Sequence, residues 1–74
     1  MSIDFTLPKD CPNVTMRVIN IFGQEVLVPF RDMSFEAGSH SEIINVDKLA
    51  NGTYTLIIEA GEYIKAQSLV VIKQ

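Results

Sequence analysis

Hydrophobic and polar residues alternate with a period of two along most of the chain, and turn-forming residues interrupt the alternation at strand-length intervals. Ile3, Phe5 and Leu7 alternate with Asp4 and Thr6, which predicts a first strand. The stretch Pro8-Lys9-Asp10-Cys11-Pro12-Asn13 follows, and its two prolines are incompatible with a helix or a central strand, so the first strand is expected to end there. Val14, Met16 and Val18 alternate with Thr15 and Arg17, and Ile19, Ile21 and Phe22 carry the apolar character up to Gly23. A glycine accepts positive φ, so Phe22-Gly23-Gln24 reads as a tight hairpin into Glu25-Val26-Leu27-Val28, a strand that Pro29 ends or confines to an edge.

From Phe30 to Ser39 the alternation weakens, which suits a longer loop or a short edge strand. His40 to Val46 reads as extended again. Asn51-Gly52 is a turn signal because both residues tolerate left-handed backbone, and it requires another strand after it. Thr53 to Ala60 supplies that strand, with Tyr54, Leu56 and Ile58 on one face and Thr55, Ile57 and Glu59 on the other. Gly61-Glu62 closes a hairpin into Tyr63 to Lys73, where Ile64, Ala66, Ser68, Val70 and Ile72 share a face. The sum is an all-β chain of about six or seven short strands, folded as a small immunoglobulin-like antiparallel β-sandwich. The five residues Val46 to Ala50 offer at most one helical turn.

Composition narrows the function. Seventy-four residues make one domain, expected to be cut from a larger exported protein, and too small to enclose a deep active-site cavity. A 47% hydrophobic chain with 20% charged residues has enough apolar surface to fold. Six Lys and Arg against nine Asp and Glu lack the basic footprint that nucleic acid or anionic lipid requires, so neither is an expected partner. No apolar run approaches the roughly 20 residues that span a bilayer, and Met1-Ser2-Ile3-Asp4 is unlike a signal peptide, so no membrane insertion is expected. Cys11 is the single cysteine, which excludes an intrachain disulfide and a cysteine-based zinc site.

Candidate chemistry is sparse. His40 stands between Ser39 and Ser41 with Glu36 and Glu42 near in sequence, but neighbours on a strand point to opposite faces, and no nucleophile elbow is present. His40 therefore reads as a solvated strand residue, and Cys11 as a small half-buried side chain in an acidic, proline-bounded loop. The acidic residues show no calcium-loop spacing, and no cofactor is expected. Tyr54 and Tyr63 are expected in the core with bonded hydroxyls. The sequons at Asn13 and Asn51 are no more than chance demands, and Asn51 already serves a turn.

One ordered combination is more specific. The segment Asn13-Val14-Thr15-Met16-Arg17-Val18-Ile19-Asn20-Ile21-Phe22-Gly23-Gln24-Glu25-Val26 precedes Phe35-Glu36-Ala37-Gly38-Ser39-His40, then Leu49-Ala50-Asn51-Gly52-Thr53-Tyr54, then Ser68-Leu69-Val70-Val71-Ile72-Lys73-Gln74. This order resembles the C-terminal sorting domain of the type IX (Por) secretion system, from about Ile3 to the chain end. The resemblance implies a non-catalytic β-sandwich address that takes an attached cargo through the periplasm to the cell surface or beyond. Its implied partners are an outer-membrane translocon, a sortase-like peptidase and an upstream cargo domain. The recurring family positions map onto Gly23, Gly38, Gly52, Tyr54 and Lys73. Two departures stand out. The Asn-Pro stretch that usually opens the family is absent, which predicts a shortened first strand and a homodimer formed by edge pairing in the isolated domain. The usual basic pair before the last apolar run is replaced by Lys65 alone, separated from Leu69 by Ala66-Gln67-Ser68. An immunoglobulin-like or fibronectin-like structural or adhesion module of an extracellular or flagellar assembly protein shares the glycine turn and the Gly-x-Tyr pattern, and is the alternative reading.

Overall fold

A computed structural model describes residues 1–73. Six strands follow one another in the chain: β1 (Ser2–Leu7), β2 (Cys11–Ile19), β3 (Glu25–Phe35), β4 (Gly38–Ile43), β5 (Gly52–Ala60) and β6 (Tyr63–Val71). They form two antiparallel sheets in a sandwich-like arrangement, one of two strands in the order β1-β4 and one of four in the order β3-β2-β5-β6. The all-β expectation holds, with six strands.

The core comes from the alternation itself. Val14, Met16 and Val18 of β2 and Leu56, Ile58 and Ala60 of β5 turn inward, and all six are at most 2% exposed. Ile3, Phe5 and Leu7 of β1 close over them from the other sheet. Phe5 meets Phe35 edge-on at 5.4 Å between ring centroids, and Phe30 lies 5.1 Å from Phe35, an aromatic cluster that joins the two layers. No polar or charged residue is buried among the described residues.

One expectation about prolines is corrected, for Pro12 lies inside the central strand β2; Pro29 does not end β3, which runs on through Phe35, but β3 is an edge strand, the other placement expected of it. Both are accommodated by breaks in register. Between the pairs Val18–Leu27 and Met16–Phe30, β3 uses three residues against two of β2, and Pro29 falls in that bulge. Pro12 falls in a second shift, between Cys11 and Val14, beyond the stretch where β2 pairs with β5. Of the two readings offered for the stretch from Phe30, the edge strand holds as far as Phe35, as the continuation of β3. Each bulge shifts the inward phase by one residue, which explains why the period-two pattern fades there. Asp32, at φ 55°, is the sole non-glycine at positive φ among the described residues, and it sits in the next bulge with its amide donating to Thr15 Oγ1 at 3.2 Å.

β4 begins at Gly38, two residues before the expected start, and ends at Ile43. Its six residues pair one for one with the six of β1, and Met1 extends the ladder through its carbonyl, which accepts from Ile44 N at 2.8 Å. β4 therefore has no unpaired remainder opposite β1. Cys11 is buried rather than half-buried, its thiol 3.4 Å from the Lys9 carbonyl oxygen.

Two measurements check these assignments. Leu56→Ala is expected to cost about 3 kcal/mol in urea unfolding, since a fully buried side chain leaves a cavity that a thin core closes poorly. Asp32→Val is expected to cost about 1 to 2 kcal/mol, because a β-branched side chain resists left-handed backbone, whereas Asp32→Gly is expected to leave stability unchanged or raise it.

Candidate functional site

The strand connections divide the sandwich into two ends. The turn 20–24, the connection 44–51 and residues 71–73 share one end, because Ile19 pairs with Thr55 and Thr55 with Ser68. The connections 8–10, 36–37 and 61–62 share the other.

At the first end, Asn51 holds residue 73 from both sides. Its Oδ1 accepts from Lys73 N at 2.9 Å and its Nδ2 donates to Lys73 O at 3.3 Å. Lys73 Nζ reaches back to donate to the Asp47 carbonyl oxygen at 2.8 Å. Tyr54, two residues into β5, donates its hydroxyl to the Ala50 carbonyl oxygen at 2.6 Å and packs its ring against the core, the tyrosine-corner arrangement of sandwiches. Leu49 is buried beneath, with its amide on Val46 O at 3.0 Å, so the connection is pinned by an apolar plug as well as by polar contacts. The result is a clasp in which 47–54 and the end of β6 fix each other. Asn51 was expected to serve through left-handed backbone; it serves instead through its side chain, and its φ is not positive.

Gly23 lies at the same end. Its φ of 80° and the bond from its amide to Asn20 O at 3.0 Å form the turn, and an added Cβ would meet nothing within 4 Å, so the requirement is conformational and not spatial. Asn20 Oδ1 accepts from Phe22 N and Gln24 N at 2.9 and 3.0 Å, which rigidifies the tip. Ile21 and Phe22, expected to continue the apolar strand, instead stand in solvent at 79% exposure each. Gly38, at φ 117°, starts β4 at the opposite end. Of the five positions singled out in the sequence, the fold therefore gathers Gly52, Tyr54 and Lys73 into one clasp, sets Gly23 at the same end, and leaves Gly38 apart. Asn51 and Asp47 are the members that the sequence reading missed; the interaction joining Asn51 to Lys73 spans 22 residues and has no local signature.

The face shared by Ile64, Ala66, Ser68, Val70 and Ile72 is the outer one. Ile64 is 65% exposed, Val70 53% and Ile72 80%, while Leu69 and Val71 point inward. The Gly61-Glu62 turn decides this: it sets Ala60 opposite Tyr63, so the inward phase of β5 continues into the odd-numbered residues of β6.

His40 does not assemble a catalytic set. Its ring packs on Phe5 and Phe35 at centroid distances of 5.4 and 5.0 Å, half-buried rather than solvated, and its Nε2 lies 2.6 Å from Glu36 O. Ser41 Oγ donates to Asp4 Oδ1 and Ser39 Oγ lies 3.4 Å from Thr6 Oγ1. No group of three His, Cys, Asp or Glu able to hold a metal occurs among the described residues.

The family model of the secretion system C-terminal sorting domain matches residues 1–73. The chain belongs to that family. It is a sorting domain of the type IX (Por) secretion system, all-β and carrying a C-terminal sorting signal. Neither a curated protein nor a solved structure matches it. In this sorting domain the clasp joins two segments that carry the family resemblance, Leu49 to Tyr54 and Ser68 to Lys73, by direct hydrogen bonds.

Breaking the clasp is expected to have local and graded effects. Tyr54→Phe should lower stability by about 1 kcal/mol in urea unfolding, the net value of one hydroxyl hydrogen bond. Asn51→Ala should abolish hydrogen-exchange protection at the Lys73 amide while leaving that of the β5–β6 ladder, whose pairing does not depend on it.

Proposed function

We propose that the β5–β6 hairpin, held in place by the clasp, is the surface by which an outer-membrane translocon reads this sorting domain. Cargo attached upstream travels through the periplasm and is delivered to the cell surface or the extracellular space, where a sortase-like peptidase separates it from the address. The domain acts as a folded, non-catalytic label. Gly52, Tyr54 and Lys73 act by presenting the hairpin, Gly23 by shaping the neighbouring turn, and Gly38 by starting β4 at the far end.

The observation that carries this reading is the mutual fixing of Asn51 and Lys73. A short segment at the end of a strand normally frays. Here three hydrogen bonds tie residue 73 to the 47–51 connection, so the hairpin is presented in one shape and a receptor does not bear the cost of ordering it. The free edge of β6 offers backbone groups to an added strand, the means by which extended segments are commonly captured.

The test is a transplant. Residues 1–74 are fused behind an inert reporter carrying a general export signal, in cells with and without the translocon. The expected result is translocon-dependent surface delivery, abolished by deletion of Ser68 to Gln74 and reduced several-fold by Asn51→Ala, with circular dichroism confirming that the point variant folds. Delivery that survives the deletion, or that ignores the translocon, overturns the reading.

A further inference from the structure

Asn51 precedes a glycine, Gly52, whereas the other three asparagines precede β-branched residues: Asn13 precedes Val14, Asn20 precedes Ile21 and Asn45 precedes Val46. The main-chain nitrogen that follows an asparagine can attack its side-chain amide carbon. A β-branched side chain on that nitrogen's residue obstructs the approach, and glycine leaves it open. Asn51 and Gly52 are both exposed, so solvent reaches the pair, and nothing lies within 4 Å of the place a Cβ on Gly52 would occupy. The Asn51 side chain is also the centre of the clasp. Its Oδ1 accepts from Lys73 N at 2.9 Å, and its Nδ2, the group such an attack expels, donates to Lys73 O at 3.3 Å.

We propose that Asn51 is a site of self-modification by deamidation, restrained while the clasp is closed and holding the clasp open once it has occurred. The Gly52 main-chain nitrogen gives up its proton to hydroxide and forms a bond to Asn51 Cγ. The Cγ–Nδ2 bond breaks, and Nδ2 leaves as ammonia with a proton from water. Water then opens the resulting succinimide at either carbonyl, leaving aspartate, or isoaspartate in which the main chain runs through Cγ. One water is consumed and one ammonia released, with no oxidant or reductant. The two bonds to Lys73 fix the plane of the Asn51 amide, and ring closure requires that plane to turn and Nδ2 to depart, so the reaction belongs to the moments when the clasp opens. Either product lacks the Nδ2 donor. In aspartate a carboxylate oxygen faces the Lys73 carbonyl, acceptor against acceptor. In isoaspartate the added backbone carbon also displaces Ala50 from Tyr54, whose hydroxyl bonds the Ala50 carbonyl oxygen at 2.6 Å. The clasp is therefore a latch that opens once, and a chain whose last segment has stood open carries a permanent mark of it. This rests on the geometry of the clasp and not on the translocon reading.

Incubating the full chain in mildly alkaline buffer made with water labelled in its oxygen, followed by peptide mass mapping, tests the assignment. Label is expected at Asn51 in preference to Asn13, Asn20 and Asn45, with part of it in isoaspartate, counted by enzymatic methylation. Lys73→Ala removes the bond from Nζ to the Asp47 carbonyl oxygen and should raise the rate about fivefold, the factor that one net hydrogen bond of about 1 kcal/mol represents. Tyr54→Phe loosens the same connection and should raise it as well, with circular dichroism showing that each variant folds. In urea, where no clasp exists, the native sequence should react faster than in its folded state. The modified chain, separated by its added negative charge, should lose hydrogen-exchange protection at the Lys73 amide and keep it from Leu56 to Ala60. Label spread evenly over the four asparagines, a rate that neither the variants nor urea raises, or a modified chain that retains protection at Lys73 overturns the proposal.

Discussion

The pairing of β2 with β5 is the constraint on which the rest of this domain depends. Six consecutive pairs, from Val14–Ala60 to Ile19–Thr55, run without a break, and they align the side chains that are most completely removed from water. A chain of this size has little apolar surface to spare. Concentrating the burial on two central strands leaves both hairpins anchored at one side only, β3 to β2 and β6 to β5. The molecule consequently has a firm middle and two outer strands that differ in what they can tolerate.

That difference has a chemical basis. β3 absorbs two bulges within the stretch Val28 to Asp32, and the residues there are free to be proline, charged or strained because the outer side of the strand has no ladder to keep. β6 keeps every pair with β5 and so stays regular in register. The outer-face ion pair of Arg17 with Glu59, at 2.8 Å and partly exposed, ties β2 to β5 diagonally and adds little beyond that, as expected of a solvated pair. On this outer face Ile57 of β5 lies half-buried between Arg17 of β2 and Ala66 of β6, so the apolar row of β6 borders an apolar position of its neighbour as well as the threonines and the ion pair.

The clasp links this regular edge to the family's sequence pattern. Tyr54 belongs to the core through its ring and to the 44–51 connection through its hydroxyl, so one residue couples burial to loop geometry. Asn51 then passes that geometry to Lys73, and Lys73 returns to Asp47. The chain start is drawn to the same connection, for the Met1 amino group donates to Ile44 O at 3.1 Å.

The sequence by itself determined the fold class, the inward faces of β1, β2 and β5, and the turns at Gly23 and Gly61. Those are short-range properties: an alternation of period two, a residue suited to positive φ, and a two-residue connection between apolar runs. It also carried the ordered segments by which the family is recognised. The tertiary structure decided the rest. Bulges in β3 hid a strand behind a broken pattern, because an inserted residue reverses the inward phase without changing composition. The turn at Gly61-Glu62, and not hydrophobicity, chose which face of β6 is buried, so its more apolar phase lies outside. The clasp depends on Asn51 and Lys73 meeting across 22 residues, a proximity created by the β5–β6 register and by no local preference of either side chain.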